Sequence, residues 1–460
     1  MKKIIRTVFI GAALLGAVSC SDKFFEQYPA NTITEGNHYQ TDDDFDQAVK
    51  CCYLKIKTQM GFFLNELAYR SDECGLEAMA VSTQDRYDLD HFQEASNNGI
   101  LSDVWNAWNN GVYRCNDILD HMEGKELANA DKYRGEVLFL RSWWYFNLYR
   151  VFGGVPVTTK VVSPSEAKTI ARCSDEQMYE RLTEDLAAAV ELLPEKRSAE
   201  KARVTKIAAQ GLLAKVYLTF GKYAEAQSVL DQALDDPNYG MMPTTGDAFS
   251  VSNKMNKEIL FAIYYNKATD NGHGYWYSAK TSVLADIENP KAQFKGIYTD
   301  TDNRLPLINS YTKITNTVFA MNKWYDEYDA TYTTIVGNDF PILRYADLYL
   351  MYAEALGQQG RIADALPYLN QTRTRAGLSE LTTAEVGSKE AFIQALADER
   401  GKEFALEGQR WFDLVRLGLA VDYFKSLGYT LDSHNLLFPI PQNQIEIVNN
   451  ESILWQNPGF

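Results

Sequence analysis

The chain has 460 residues, of which 46% are hydrophobic and 23% are charged, and its formal net charge is −16. This composition is typical of a globular protein, and the length allows one large domain or roughly two or three smaller ones. The acidic charge and the lack of clustered Lys and Arg argue against nucleic acid or anionic lipid as a partner.

The amino terminus has the pattern of an export signal. Three positively charged residues precede an apolar run, Val8–Val18, that is too short to span a bilayer. The run ends in Ala-Val-Ser before Cys20, which resembles a bacterial lipoprotein processing site where the cysteine becomes the lipidated first residue. A simple secretory signal with an unmodified Cys20 is the alternative. We predict a signal peptide over 1–19 and a lipidated tether over 20–40.

Helical patterns dominate the first half of the chain. Three carboxylates follow Thr41, where they suit the first turn of a helix; capping is commoner there than calcium binding. Residues Tyr69–Asn98 break the helical period. Helical spacing then predicts helices over Val104–Met122, Lys132–Phe152 and Asp175–Leu192.

A helical hairpin occurs twice in the sequence. Phe340–Leu378 predicts two helices joined by a turn at Gly360, and Lys206–Leu234 repeats its pattern without a gap around Gly221. The shared motif is G-[KR]-x-A-x-A-x-x-x-L, in which glycine permits the turn and alanines let the helices approach closely. It resembles the second half of a tetratricopeptide unit, which must stack on neighbouring units.

Between the two copies the periodicity changes. Glu258–Tyr265 predicts a strand, and a Gly- and Asn-rich stretch containing Tyr275, Trp276 and Tyr277 follows it. Three adjacent aromatic residues in such a loop cannot all point into a core. We therefore predict that this insertion binds a ligand; a local cluster that stabilises the loop is the alternative.

The stretch Lys389–Gly418 predicts a further helical hairpin with a turn at Gly408. Opposite charges recur three or four positions apart in it, which favours an ion-pair network between two helices over a set of catalytic carboxylates. The charged residues are Glu399, Arg400, Glu403, Glu407, Arg410 and Asp413.

Five cysteines remain after Cys20, and they include no C-x-x-C pair. An odd number without that spacing does not indicate a disulfide framework. We expect buried thiols, with a Cys74–Cys115 disulfide as the alternative.

Several stretches in combination resemble the SusD/RagB-like nutrient-binding outer-membrane lipoproteins of Bacteroidetes. They are CSDKFFEQYP, LRSWWYFNLYRVFGGVPV, PILRYADLYLMYAEAL, DERGKEFALEGQRWFDLVRLG, and the closing FPIPQNQIEIVNN with QNPGF. The resemblance implies a mainly α fold of tetratricopeptide-like helical pairs with a variable ligand-binding face. It also implies a surface lipid anchor, capture of an oligosaccharide, and its delivery to a SusC-like TonB-dependent transporter. Peptide capture also occurs in such proteins, so the ligand class stays open.

This resemblance predicts one SusD-like domain over 41–460. Its helical scaffold spans about 41–235 and 340–420. An irregular, loop-rich insertion with a few short strands spans about 236–339, and a C-terminal segment spans 421–460.

The candidate ligand-binding residues are chosen for their chemistry. Aromatic rings offer flat apolar faces to sugar rings, and polar side chains can hydrogen-bond to hydroxyl groups. The predicted set is Tyr275, Trp276, Tyr277, Trp324 and Tyr325 for stacking, and Asn271, His273, Arg86 and Asp72 for hydrogen bonding.

Neither a metal nor a cofactor is predicted. The five histidines show no H-E-x-x-H or paired spacing, and Thr299–Asn303 lacks the glycine and glutamate of an EF-hand loop, so we predict a turn there. A surface glycosidase would need two carboxylates that flank the scissile bond, but most carboxylates here lie in helical charge patterns. A non-catalytic binding protein is the leading prediction.

Overall fold

The computed structural model describes residues 38–60, 69–75, 84–266, 268, 278–280, 291–313, 318–326 and 337–460. The predicted signal peptide, Cys20 and five candidate ligand-binding residues lie outside these ranges; the five are Asn271, His273, Tyr275, Trp276 and Tyr277.

The described residues form many helices and a few short strands. The helices are α1 (Asp42–Lys55), α2 (Gln84–Asp90), α3 (Gly99–Met122), α4 (Ala130–Phe152), α5 (Pro164–Ala167), α6 (Asp175–Leu192), α7 (Lys206–Thr219), α8 (Tyr223–Leu234), α9 (Thr245–Ala248), α10 (Ala292–Lys295), α11 (Leu305–Asn309), α12 (Tyr345–Gln358), α13 (Ile362–Arg375), α14 (Thr383–Val386), α15 (Lys389–Glu403), α16 (Arg410–Arg416), α17 (Ala420–Ser426) and α18 (Gln442–Val448). The strands are β1 (Ile259–Ile263), β2 (Ser278–Lys280), β3 (Tyr311–Lys313), β4 (Val318–Met321) and β5 (Phe340–Arg344). The predicted mainly α fold is confirmed.

The long helices stack as consecutive pairs. In order, α4 packs on α6, α6 on α7, α7 on α8, α8 on α12, α12 on α13, and α13 on α15. The two copies of the repeated hairpin are α7–α8 and α12–α13, and they lie side by side because α8 packs on α12. Each copy therefore covers the apolar face of the other, as the repeat predicts.

The turns inside both copies have the predicted geometry. Gly221 has a φ of 69° and Gly360 a φ of 79°, a left-handed conformation that glycine adopts without strain. The second alanine of the motif is fully buried at the helix contact in both copies, as Ala226 and Ala365, whereas the first, Ala224 or Ala363, is exposed. The hairpins are therefore tightly packed because their contact surfaces carry few side-chain atoms.

Local capping explains where several helices begin. The Thr41 side chain accepts a hydrogen bond from the Asp44 amide, and the Asp44 carboxylate accepts one from the Thr41 amide at 2.7 Å. The Asp42 carboxylate accepts a hydrogen bond from the Asn129 amide at 3.0 Å. These aspartates therefore cap and dock α1, which confirms the capping prediction.

One boundary prediction is wrong. Phe340–Arg344 was expected to belong to the first helix of the second hairpin, but it forms β5, which pairs antiparallel with β1. Every residue of both strands is buried. The apolar run Phe340–Leu343 is too short to distinguish a helical from a strand pattern, and the pairing partner lies far away in the sequence. The strand predicted within Glu258–Tyr265 is confirmed as β1.

The charged C-terminal hairpin forms the predicted ion-pair network. Arg400 of α15 donates to the Asp413 carboxylate of α16 at 2.8 Å, so the pair does lock the two helices together. The network also reaches well beyond them, because Arg304 donates to Glu399 at 2.7 Å and to the nearby Asp302 at 2.9 Å. All of these side chains are almost completely buried.

The five cysteines within the described ranges are free thiols. Cys52, Cys74, Cys115 and Cys173 are buried and Cys51 is exposed, so the buried thiols are confirmed for four of the five. Burial raises the pKa of Cys115, and a hydrogen bond with Cys52 raises it further. Among the described residues, no helix is both long enough and apolar enough to cross a membrane.

Candidate functional site

Three residues that we call the clasp, Lys254, Tyr265 and Asp339, join the two ends of the stretch 266–338, which forms most of the predicted insertion. The Lys254 ammonium donates to Asp339 Oδ1 at 2.8 Å and to the Tyr265 carbonyl at 2.6 Å. The Tyr265 amide donates to the same carboxylate oxygen at 3.0 Å. Burial raises the pKa of Asp339, and Lys254 offsets part of that rise. The clasp therefore fixes the base of the insertion, next to the β1–β5 pair.

The insertion meets the scaffold again at Lys291. Its ammonium donates to Asp90 of α2 at 2.5 Å and to the Tyr429 hydroxyl at 2.8 Å, and its amide donates to the Glu73 carbonyl at 3.0 Å. Burial alone would lower the pKa of Lys291, but Asp90 and Tyr429 outweigh it and raise the pKa. The insertion is therefore attached to the scaffold at Lys291 as well as through Arg304.

Two predicted contact residues are accessible within this frame. Arg86 is partly buried on α2, beside Tyr87, whose ring stacks on His91 with 3.8 Å between ring centroids. Tyr325 is 37% exposed, and its carbonyl accepts a hydrogen bond from the Asn338 side chain at 3.3 Å. Both remain candidates for ligand contact.

Two other predicted contact residues are placed in the interior. Trp324 is fully buried, with its ring against Phe249 and Phe340. Asp72 is also fully buried, and its carboxylate accepts hydrogen bonds from Arg410 at 3.0 Å and from Tyr423 at 2.5 Å. In this structure neither side chain can face a ligand, so we correct the prediction for both and assign them to the scaffold.

Sequence reasoning missed Tyr264 as a site residue. It follows β1 directly, is 42% exposed, and has the Lys254 ammonium 4.7 Å from its ring centroid. Its neighbours Ile263 and Tyr265 are both buried. Adjacent residues of an extended chain point to opposite faces, but both faces of β1 are buried, so the sequence did not show which of the two adjacent tyrosines is exposed.

The buried carboxylates of this region serve the scaffold. Burial alone would raise the pKa of Glu403, but the guanidinium groups of Arg375, Arg344 and Arg304 outweigh it and lower the pKa to about 2. A carboxylate held ionised by several cations stabilises the fold and has no proton to donate at neutral pH. Within the described residues, no group of three or more His, Cys, Asp or Glu is arranged to hold a metal ion.

The arrangement defines a class of protein, namely a tetratricopeptide-like stack of helical pairs that carries an insertion clasped at its base. Two family models match the sequence, one described as the SusD family over residues 288–436 and one described as starch-binding associating with outer membrane over residues 69–218. Together they cover more than half of the chain. The chain belongs to the SusD/RagB-like family.

Individual relatives match over most of their length. SusD-like protein P2 of Formosa agariphila is 25% identical over 100% of both chains. The starch-binding protein SusD of Bacteroides thetaiotaomicron is 24% identical over 76% of each chain. A solved structure of surface glycan-binding protein A from Bacteroides thetaiotaomicron in complex with laminarihexaose aligns with a TM-score of 0.75 at 20% identity, over 91% of this chain and 100% of that one.

Proposed function

We propose that this protein binds an oligosaccharide at the outer surface of the outer membrane, does not cleave it, and delivers it to a SusC-like TonB-dependent transporter. The full-length likeness to the SusD family carries the proposal, since one relative is named for starch binding and one aligned structure holds laminarihexaose. The clasped insertion supplies the binding surface. The proposed contacts within it are Tyr275, Trp276, Tyr277, Tyr325, Asn271 and His273, and Arg86 of α2 is proposed as a further contact.

The first test is substitution of the central ring of the insertion. We expect Trp276→Ala to weaken binding of the best oligosaccharide by about tenfold or more, because one lost stacking contact corresponds to roughly 1–2 kcal/mol. Affinity gel electrophoresis against a panel of neutral and acidic polysaccharides identifies the ligand, and isothermal titration then measures the affinity.

The matched control for that test is Trp455→Ala. Trp455 is 42% exposed and lies in the C-terminal segment, so this variant removes an exposed indole outside the insertion. We expect it to bind like the wild type. Equal affinity of Trp276→Ala and wild type would refute the role of the insertion, and binding of peptides but of no polysaccharide would refute the ligand class.

The second test addresses the anchor. We expect Cys20→Ser to abolish acylation and to move the protein from the membrane fraction to the soluble fraction, because several acyl chains at this residue would hold it where a single chain binds only reversibly. Mass spectrometry of the amino-terminal peptide and fractionation of cells measure both effects. Cys51→Ser, which changes an exposed cysteine in the folded domain, is the control. A wild-type protein without acyl chains would contradict the anchor.

A further inference from the structure

A cavity opens beside the clasp, and none of the predicted ligand-contact residues lines it. Its volume is about 620 Å³, which falls within the range of about 300–1,000 Å³ found for small-molecule sites. Its walls come from α1, through Lys50 and Tyr53, from the loop 199–203, and from the segment 251–254 with Tyr264.

Hydrogen bonds hold the walls of this cavity at a fixed distance. Arg197, in the loop that leads to residue 199, donates to the Met255 carbonyl at 2.7 Å and also to the Ile259 carbonyl. These bonds tie the loop to the segment on the opposite side. The cavity is therefore present before any ligand arrives, which lowers the entropic cost of binding.

Hydrogen bonds also fix the wall that α1 forms. The Tyr53 hydroxyl donates to Glu136 at 3.1 Å and accepts a hydrogen bond from the Val204 amide at 3.1 Å. Arg203 donates to the same Glu136 carboxylate at 2.9 Å, and it also pairs with Asp46. Each of these groups is thus held in one orientation.

Most of the cations around the cavity are paired. Lys50 pairs with Asp46 at 2.7 Å and with Glu200 at 2.9 Å, and Lys254 pairs with Asp339 at 2.8 Å. The lining itself carries four cations, Lys50, Lys201, Arg203 and Lys254, and one carboxylate, Glu200, while Asp46, Glu136 and Asp339 lie outside the lining as partners of these cations. Cations that already have carboxylate partners give a charged ligand little additional attraction, and the wall offers many donors and acceptors to hydroxyl groups.

The exposed ring of Tyr264 adds an apolar surface to this polar cavity. A ring beside hydrogen-bonding groups complements a sugar, which presents a C–H face and a rim of hydroxyls. We propose that the cavity is a second saccharide site that prefers uncharged sugars. This inference rests on the proposed function, because it assumes that the natural ligand is a glycan.

A fluorine label that reports from the cavity alone tests the proposal. A trifluoromethyl-phenylalanine is introduced at position 264 in full-length protein that also carries Trp276→Ala, and the ¹⁹F signal is followed during titration with maltotriose, laminaritriose, xylotriose, trigalacturonate and triglycine. We expect a saturable shift with at least one neutral trisaccharide and none with trigalacturonate or triglycine. The same label at position 113, where Tyr113 is 49% exposed outside the cavity, should not shift.

A variant without the label controls for any effect of the label itself on binding. Tyr264→Ala should weaken binding of the same trisaccharide about tenfold in the Trp276→Ala background, whereas Tyr113→Ala should leave it unchanged. The inference is wrong if the ¹⁹F signal at position 264 does not shift with any neutral trisaccharide, or if it shifts more with trigalacturonate or triglycine. If that result accompanies glycan binding that depends on Trp276, the proposed function stands and only the second site fails.

Discussion

Arg344→Met is expected to lower the free energy of unfolding by about 3–5 kcal/mol, the usual cost of removing one partner from a buried ion pair. Arg344 is the last residue of β5 and is only 1% exposed. Its guanidinium group donates to Glu258 at 2.7 Å, to Glu407 at 2.8 Å and to Glu403 at 3.0 Å. Methionine fills a similar volume but supplies no donor, so three carboxylates lose a cation in the interior.

The remaining cations compensate only in part. Arg375 still donates to Glu258 at 2.8 Å, and Lys323 still donates to Glu407 at 2.7 Å. Each of these cations is already bound in its own geometry and cannot reproduce the forked contact of a guanidinium. We therefore expect a loss close to the full value for a broken buried pair.

Urea denaturation followed by tryptophan fluorescence measures this loss, with Arg361→Met as the control. Arg361 is paired with Asp364 at 2.9 Å on the second hairpin, but both side chains are about half exposed. An exposed pair of this kind contributes roughly 1 kcal/mol or less. Similar losses for the two variants, or a loss below 1 kcal/mol for Arg344→Met, would contradict the structural role of Arg344.

This network also connects stability to the binding face. β5 directly follows the predicted insertion, and β1 lies within it, just before the stretch 266–338 whose ends the clasp joins. Arg344 ties the end of β5 to Glu258, directly before β1, and to Glu403 at the end of α15. The scaffold therefore fixes both ends of that stretch through one buried cation, in addition to the clasp.

Local periodicity was sufficient to predict the helical scaffold. α6 spans Asp175–Leu192 as predicted, because a Ser174 cap, acidic residues in the first turn and Pro194 after the end all lie within a short stretch of sequence. The repeated hairpin was equally predictable, since the motif around Gly221 and Gly360 is itself local. Sequence signals that lie within one or two helical turns of each other can be recognised in a single sequence.

Long-range partners could not be predicted in the same way. Asp72 was expected to bind a ligand, but the guanidinium of Arg410 binds it in the interior, and the two residues are separated by most of the chain. Trp324 was expected to offer a stacking face, but Phe249 and Phe340 enclose its ring. Residue type alone does not distinguish a buried polar or aromatic group with a distant partner from an accessible one.

The candidate site, too, was predictable from the sequence only in part. Composition predicted the insertion, because glycines and adjacent aromatic residues are visible in the sequence; its bounds and the roles of Tyr275, Trp276 and Tyr277 remain predictions. The clasp was not predictable, because Lys254 and Asp339 come together only when β1 pairs with β5. The cavity lined by Tyr264 depends likewise on contacts between α1 and two distant segments.

A buried carboxyl group gives the scaffold an expected dependence on pH. Glu73 is 1% exposed, and its carboxyl accepts a hydrogen bond from the Leu406 amide at 2.7 Å. Burial raises the pKa of Glu73 to about 8; the nearby Asp72 carboxylate adds to this effect, and the Leu406 amide, Arg410 and Lys323 oppose it. At neutral pH the folded protein therefore holds a proton on Glu73 that the unfolded chain has released.

Glu73→Gln is expected to remove a loss of stability that wild-type protein shows as the pH rises. Between the unfolded pKa near 4.5 and the folded pKa of about 8, the folded state binds the extra proton. The free energy of unfolding therefore falls by up to about 1.4 kcal/mol per pH unit, or about 3–5 kcal/mol in all. Glutamine keeps the acceptor for Leu406 without ionising, so urea denaturation at pH 5 to 8.5 should show its stability relative to wild type increasing with pH. Glu180→Gln, at an exposed position on α6, should follow the wild-type profile, and parallel profiles for all three proteins would rule out a buried proton on Glu73.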